Sequence, residues 1–266
     1  MSFLLLWPTQ LLYTGLDLLS YDILSSFADI SQYLNDIRFD LRPKITSSGG
    51  GIAYITDSST EGRNGIIIVD LGTGESWRHL DNTPEVRARP QFLAFVWGEP
   101  LYSNPGNGIP VSFLSFGSDG IALSADGETL YWCAVASRYL FGVPTARLRD
   151  RSATSEIMAE ASVTRLTQKG VSDGLETDSN GFIYMGNSED NAINIFNPAN
   201  GTVSVFVRDP RIAWSDTMSV AGNYLYFTEN QLWRAPSFWN GTDRRVKPYV
   251  LYRVPLPNNG TKVNLQ

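Results

Sequence analysis

The sequence predicts an all-β chain folded as a β-propeller of four-stranded antiparallel blades, and three observations carry that prediction. A short motif recurs: Ser or Asn, then Asp, then an apolar residue one or two places on. It stands in LNDIRFDL (34–41), GSDGIALSADGETLY (117–131), VSDGLETDSNGFIY (171–184) and WSDTMSVAGNYLY (214–226). In the last three, a Tyr follows the Asp by 10 to 12 residues across a Gly, Asn or Asp turn. Finally, each motif opens a series of short period-2 runs rich in Val, Ile, Tyr and Phe, separated by DG, NG and SNG turns. Such a series reads as strands joined by tight hairpins, repeated as whole units.

The first unit runs DIRFDL, the turn SSGGG, IAYITDS, GIIIVDL, the turn GTGE and SWRHL. The second runs GIALSA, DGE, TLYWCAV and YLFGVPTARL. A third runs GLETDSNGFIYMGN, AINIFN, PANG and TVSVFV, and a fourth TMSVAGNYLYFTEN, QLWRAP and, past an insertion, KPYVLYRVPL. Blades are therefore expected near 33–80, 113–150, 170–208 and 212–256, within a propeller domain spanning 33–266. The motif Asp residues stand at 36, 119, 173 and 216, so the units are interrupted by insertions of unequal length. The largest insertion, 81–112, carries Phe92, Phe95, Trp97 and Tyr102 and is too aromatic for a plain connector. It reads equally as a lid over a pocket or as an arm packed on a neighbouring blade. RSATSEIMAEASVT reads as one short structural helix. Residues 1–32 are apolar but broken by Pro8, Gly15 and Asp17, which suits neither a signal peptide with a basic start nor a membrane span. They are expected to pack on the body of the domain.

Composition excludes several classes of function. A net charge of −6 with no polybasic run argues against nucleic acid and anionic membranes as partners. One cysteine, Cys133, permits no internal disulfide and no Cys-rich zinc site. The single histidine, His79, lies in the strand-like ESWRHL and reads as a surface position rather than a triad member. No glycine-rich phosphate loop opens a helix. No cofactor and no metal are expected.

In a propeller the first strand of each blade lies nearest the axis, and its start faces one mouth of the channel. Asn35 and Asp36, Ser118 and Asp119, Ser172 and Asp173, and Ser215 and Asp216 are thus expected to converge there. One reading is a polar ring that binds a small molecule or a hard cation such as Ca²⁺. The other is that each Asp accepts backbone N–H groups and locks one blade to the next, which recurrence in every blade favours. The ends of the second strands offer Asp57, Ser58, Asn187, Glu229 and Asn230, and Trp214 and Tyr33 stand as aromatic walls or core. Ligand contacts are therefore expected among Asn35, Asp36, Ser118, Asp119, Ser172, Asp173, Asn187, Trp214, Ser215, Asp216 and Asn230. Asp173 and Glu229 are the candidate catalytic carboxylates. NGT triplets at Asn200, Asn240 and Asn259 are glycosylation acceptors if the chain is secreted, and ordinary tight turns otherwise.

YLNDIRFDL with AYITDSS, GIALSADGETLYW with SRYLFGVPTARLRD, SDGLETDSNGFIY, SDTMSVAGNYLYFTENQLWR and RVKPYVLYRVPL together resemble the yellow/major royal jelly protein family, in order, over residues 33 to about 256. The style is similar to fungal members. The resemblance implies a six-bladed propeller with a ligand-binding central cavity and an extracellular setting, although no convincing signal peptide is present. Family members carry about two further blades before the first motif. This chain is thus expected to close a smaller ring, to form an arc completed by another chain through self-association, or to be a shortened version. The family precedents imply a cofactor-independent enzyme of secondary metabolism. It would join a quinone-methide-type diene to a terpene alkene in a hetero-Diels–Alder reaction, for which two apolar partners and one hydrogen-bond donor suffice. The alternatives they imply are a binder of small aromatic amines, a dopachrome-type tautomerase, and a secreted protein without a ligand. In each ligand-bound case the partner is a small hydrophobic or aromatic molecule.

Overall fold

The computed structural model describes residues 33–60 and 63–266; the expectation for residues 1–32 lies outside them. Among the described residues fifteen of the seventeen strands form four antiparallel sheets around an axis, each beginning at its innermost strand, and the other two form a separate hairpin. The first blade is β1 (Leu34–Asp40), β2 (Ile52–Asp57), β3 (Gly65–Asp70) and β4 (Ser76–His79). The second is β7 (Ser118–Leu123), β8 (Thr129–Ala134), β9 (Tyr139–Pro144) and β10 (Thr164–Gln168). The third is β11 (Leu175–Thr177), β12 (Ile183–Asn187), β13 (Ala192–Asn197) and β14 (Thr202–Arg208). The fourth has three strands rather than the expected four: β15 (Ser215–Ala221), β16 (Tyr224–Glu229) and β17 (Val250–Pro255).

Alternation decides how the blades stack. On β2 and β3, Ile52, Tyr54, Ile66 and Ile68 face the second blade and meet Ile121, Leu123, Leu130 and Trp132 in one buried cluster. The opposite faces of blades two and three meet through Ala122, Tyr131, Leu140, Leu175, Ile183 and Met185. Tyr184 and Ile193 pack against Met218, Val220, Leu225 and Phe227 between blades three and four. Burying such two-faced sheets is the main favourable term, at about 25 cal/mol per Å² of apolar surface. Among the described residues no apolar cluster joins the fourth blade to the first. The segment after β17 instead passes the third blade, where the Ser179 N–H bonds Thr261 O at 2.8 Å. It then reaches the first blade, where the Leu41 N–H bonds Leu265 O at 2.8 Å and Leu265 enters the core.

The second blade runs past the expected boundary at 150, because its outer strand β10 follows two short helices, α1 (Thr145–Arg149) and α2 (Ser155–Ala161). Those helices account for His79, which is buried rather than exposed. Its Nδ1 meets Glu156 Oε2 at 2.7 Å and its Nε2 meets Asp150 O at 2.9 Å, so the connection folds over the end of β4. The 81–112 insertion forms a two-stranded hairpin, β5 (Ala94–Val96) and β6 (Glu99–Leu101), turned by Trp97 and Gly98 at positive φ. Phe92, Ala94, Val96 and Leu101 pack on Val135, Val171 and Trp214, which places the hairpin across blades two, three and four.

Candidate functional site: the acidic mouth

Pairing registers show what the recurring motif is. Leu34 pairs with Asp57 and the next paired residue is Ile37; Ser118 and Ile121, and Ser215 and Met218, bracket the same two-residue irregularity. The motif is therefore a β-bulge in the inner strand, a device that turns side chains out of the regular pleat. Three residues past the bulged Asp, Ala122, Glu176 and Ser219 pair with Tyr131, Tyr184 and Tyr226, the tyrosines that follow each motif. In the first blade the residue opposite Tyr54 is Arg38, so the counterpart of Asp119, Asp173 and Asp216 is Asn35. The expected equivalence of Asp36 with those residues is thus off by one. Asp36 occupies the position held by Gly120 and Gly174.

Glycine stands there for a steric reason. A Cβ on Gly120 would lie 2.0 Å from Asp173 O, and one on Gly174 1.6 Å from Asp216 O. The inner strands of blades two, three and four approach backbone to backbone at these points.

Four carboxyl groups gather at the mouth. Asp119 and Asp173 are buried side by side. Asp173 Oδ2 accepts the Trp214 indole N–H at 2.6 Å and the Asn230 amide at 3.5 Å, and the same amide reaches Asp216 Oδ2 at 3.2 Å. Burial, reinforced by mutual repulsion with Asp173, Asp36 and Asp216, pushes Asp119 well above the usual carboxylate range. Asp173 is raised by burial and by Asp216, and Asp216 by burial against the lowering effect of Asn230. Burial lifts Asp36 to about 6 although the Arg38 guanidinium pulls it down. Tyr33, 56% exposed, stands beside them, its phenol raised by burial and by Asp119, Asp173 and Asp216. Like charges in a low-dielectric site cannot all ionise, so the ring is short of a cation.

Other acids hold the chain where it enters a blade. Asp57, at the end of β2, accepts the Tyr33 N–H at 3.1 Å and forms an ion pair with Arg78 at 2.8 Å. At the matching place in the fourth blade, Glu229 Oε2 accepts the Ala213 and Trp214 N–H groups, both at 2.8 Å. Tyr33 and Trp214 are equivalent positions, and in both blades an acid ending the second strand holds the chain entering the first. Burial raises Glu229 to about 7, and its Oε1 has no hydrogen-bond partner.

The remaining expected residues divide. Asn35 donates to Ser58 Oγ at 3.0 Å beside the mouth. Ser118 Oγ bonds Asp57 O, Ser172 Oγ bonds Gly174 O, and Ser215 is buried, so these serines lie between blades rather than on the mouth. Asn187 is buried in the third blade and bonds Asp190 Oδ2 at 3.0 Å. Asn200 and Asn240 are exposed on turns, and Asn259 is exposed at the end of a short 3-10 helix (Pro257–Asn259). Among the described residues no group of three or more His, Cys, Asp or Glu side chains has an arrangement that could hold a metal ion. Nor is any described helix long and apolar enough to cross a membrane. Sequence reasoning passed over Arg38 and Glu176, which meet at 4.0 Å from opposite blades. Aligning the repeats on their tyrosines exposes both.

The sequence matches the profile described as "Major royal jelly protein" over residues 12–256. The chain belongs to the major royal jelly protein family. No curated protein sequence matches it. Solved structures similar to this family member include a luciferin-regenerating enzyme, at TM-score 0.50 and 14% identity over 91% of this chain and 68% of that one. A calcium-binding regucalcin from Agrobacterium tumefaciens aligns at TM-score 0.47 and 14% identity, over 74% of this chain and 53% of that one. A putative gluconolactonase aligns at 0.47 and 11%, over 86% and 60%. The family member therefore spans about half to two thirds of the length of these propellers.

Proposed function

We propose that this member of the family binds a small aromatic or apolar amine at the acidic mouth. The ammonium group sits on Asp173 and Asp216, with Tyr33 and Trp214 beside it. The observation that carries the reading is the convergence of Asp36, Asp119, Asp173 and Asp216 at one mouth, where burial raises each and Asp216 raises the other three further. An incoming cation returns these groups to their ionised form, and the aromatic neighbours favour a positive charge close to a ring. Binding of benzylamine by isothermal titration calorimetry tests it. Wild-type protein is expected to bind, and Asp173→Asn to weaken binding about tenfold, the scale of a close partly buried charge pair. Equal affinity in the two proteins would remove Asp173 from the site.

A second reading, cofactor-independent hetero-Diels–Alder cyclisation, draws support from Glu229. A carboxyl near 7 is partly protonated at neutral pH and can donate a hydrogen bond to a carbonyl. Glu229 also borders a cleft of about 440 Å³ with Leu232, Tyr249 and Leu251, large enough for an apolar reactant. Incubation with a quinone-methide precursor and a terpene tests this reading. Product ratios and stereochemistry equal to those of the uncatalysed reaction would discard it.

A further inference from the structure

The level below the acidic mouth already contains a cation. Arg38 lies three residues beyond Asn35 on β1, at the level that Ala122, Glu176 and Ser219 occupy on the other inner strands. Its side chain crosses from the first blade to the third, where one terminal nitrogen donates to Leu175 O at 2.6 Å and stands 4.0 Å from Glu176 Oε2. The other terminal nitrogen donates to Ile37 O at 2.9 Å. Upward, the same guanidinium acts on Asp36. Beyond it, the segment ending in Leu265 runs from the third blade to the first, at the ends of β11 and β1 opposite the mouth. Two acids, Asp36 and Glu176, are thus served by Arg38 from below, while the buried Lys169 acts on Asp173 from beside the ring.

We infer that Arg38 places a built-in cation directly beneath the acidic mouth and thereby limits the site to ligands carrying a single ammonium group. The inference rests on the amine-binding reading and adds the substrate class: monoamines, with diamines of the same body gaining nothing from their second charge. A second ammonium pushed past the ring meets the partly buried guanidinium, and like charges at short range repel. Arg38 is in this sense a specificity-determining residue. It need not touch a monoamine at all.

Benzylamine and 1,4-bis(aminomethyl)benzene share a body and differ by one ammonium group, so calorimetric titration of both isolates the effect. For the wild type the diamine is expected to bind no more than about twofold tighter, the statistical gain from two equivalent ends. In Arg38→Gln, which leaves Asp36 and Glu176 without that cation, the diamine is expected to bind about tenfold or more tightly than benzylamine. Arg38→Lys keeps a charge and is expected to retain the wild-type ratio. A diamine bound about tenfold tighter by the wild type would overturn the inference, and that comparison stands whether or not the variants fold. An unchanged ratio in a folded Arg38→Gln protein would overturn it too. If benzylamine itself does not bind the wild type, it is the amine reading that fails, which the same titration separates from failure of the Arg38 assignment.

Discussion

Asp173 shows how one side chain can serve binding at the expense of stability. It is buried beside Asp119, and its carboxylate accepts the Trp214 indole N–H and the Asn230 amide. Asparagine can keep the indole bond and removes the charge. Asp173→Asn is therefore expected to stabilise the unliganded protein by about 1–2 kcal/mol at pH 7.5, while weakening amine binding. Chemical denaturation at pH 7.5 and pH 5 checks this, because the gain should shrink at pH 5, where the acids are already protonated. The glycine after Asp173 makes a second residue-scale case. Gly174→Ala places a methyl group 1.6 Å from Asp216 O, a backbone atom that cannot swing aside. A loss of about 3 kcal/mol is expected in urea unfolding, at the upper end for overpacking. A loss under 1 kcal/mol would mean that the third and fourth blades do not meet there.

At the scale of the element, the repeat and its strands were legible and the bulge was not. Period-2 runs such as GIIIVD and the DG and NG turns marked strands and hairpins, because both signals are local. The motif Asp was legible as a recurring feature, yet the first blade was aligned one residue out. LNDIRF offers Asn35 and Asp36 side by side, and only cross-strand pairing with Tyr54 decides between them. His79 was misjudged for a similar reason: the helices that bury it arrive more than seventy residues later in the chain. Asp119, Asp173 and Asp216 hold the motif position, whereas Asp57 and Glu229 lock the chain entering their own blades. Glu229→Ala is expected to cost about 2–4 kcal/mol by leaving two buried N–H groups without an acceptor, and Glu229→Gln far less. Urea unfolding of the two variants side by side distinguishes this lock from a purely electrostatic role, for which both would behave alike.

Across the whole molecule, the mouth makes stability depend on pH in a definite direction. Asp36 and Glu229 rise to about 6 and about 7 from ordinary values of 3.8 and 4.5, and Asp119, Asp173 and Asp216 rise with them. A folded-state value above the unfolded one means that the native protein binds more protons. That contribution is complete below about pH 4 and is lost as pH climbs through 6 and 7. Exposed pairs work the other way at lower pH, since Arg211 and Arg245 hold Asp209 and Asp243 at about 2. The melting temperature is therefore expected to rise as pH falls from 8 to about 5, and differential scanning calorimetry without ligand reads this directly. A flat profile over that range would mean that the mouth acids ionise freely.

The same acids couple amine binding to proton release, and that coupling tests the central claim most directly. An ammonium group entering a partly protonated ring displaces protons from it. Benzylamine should therefore be titrated by calorimetry at pH 6.5 in two buffers of different ionisation enthalpy. The acidic-mouth account predicts binding with a net release of protons, seen as an apparent enthalpy that changes with the buffer, and a smaller release in Asp173→Asn. Absence of binding, or binding whose heat is the same in both buffers, would contradict it.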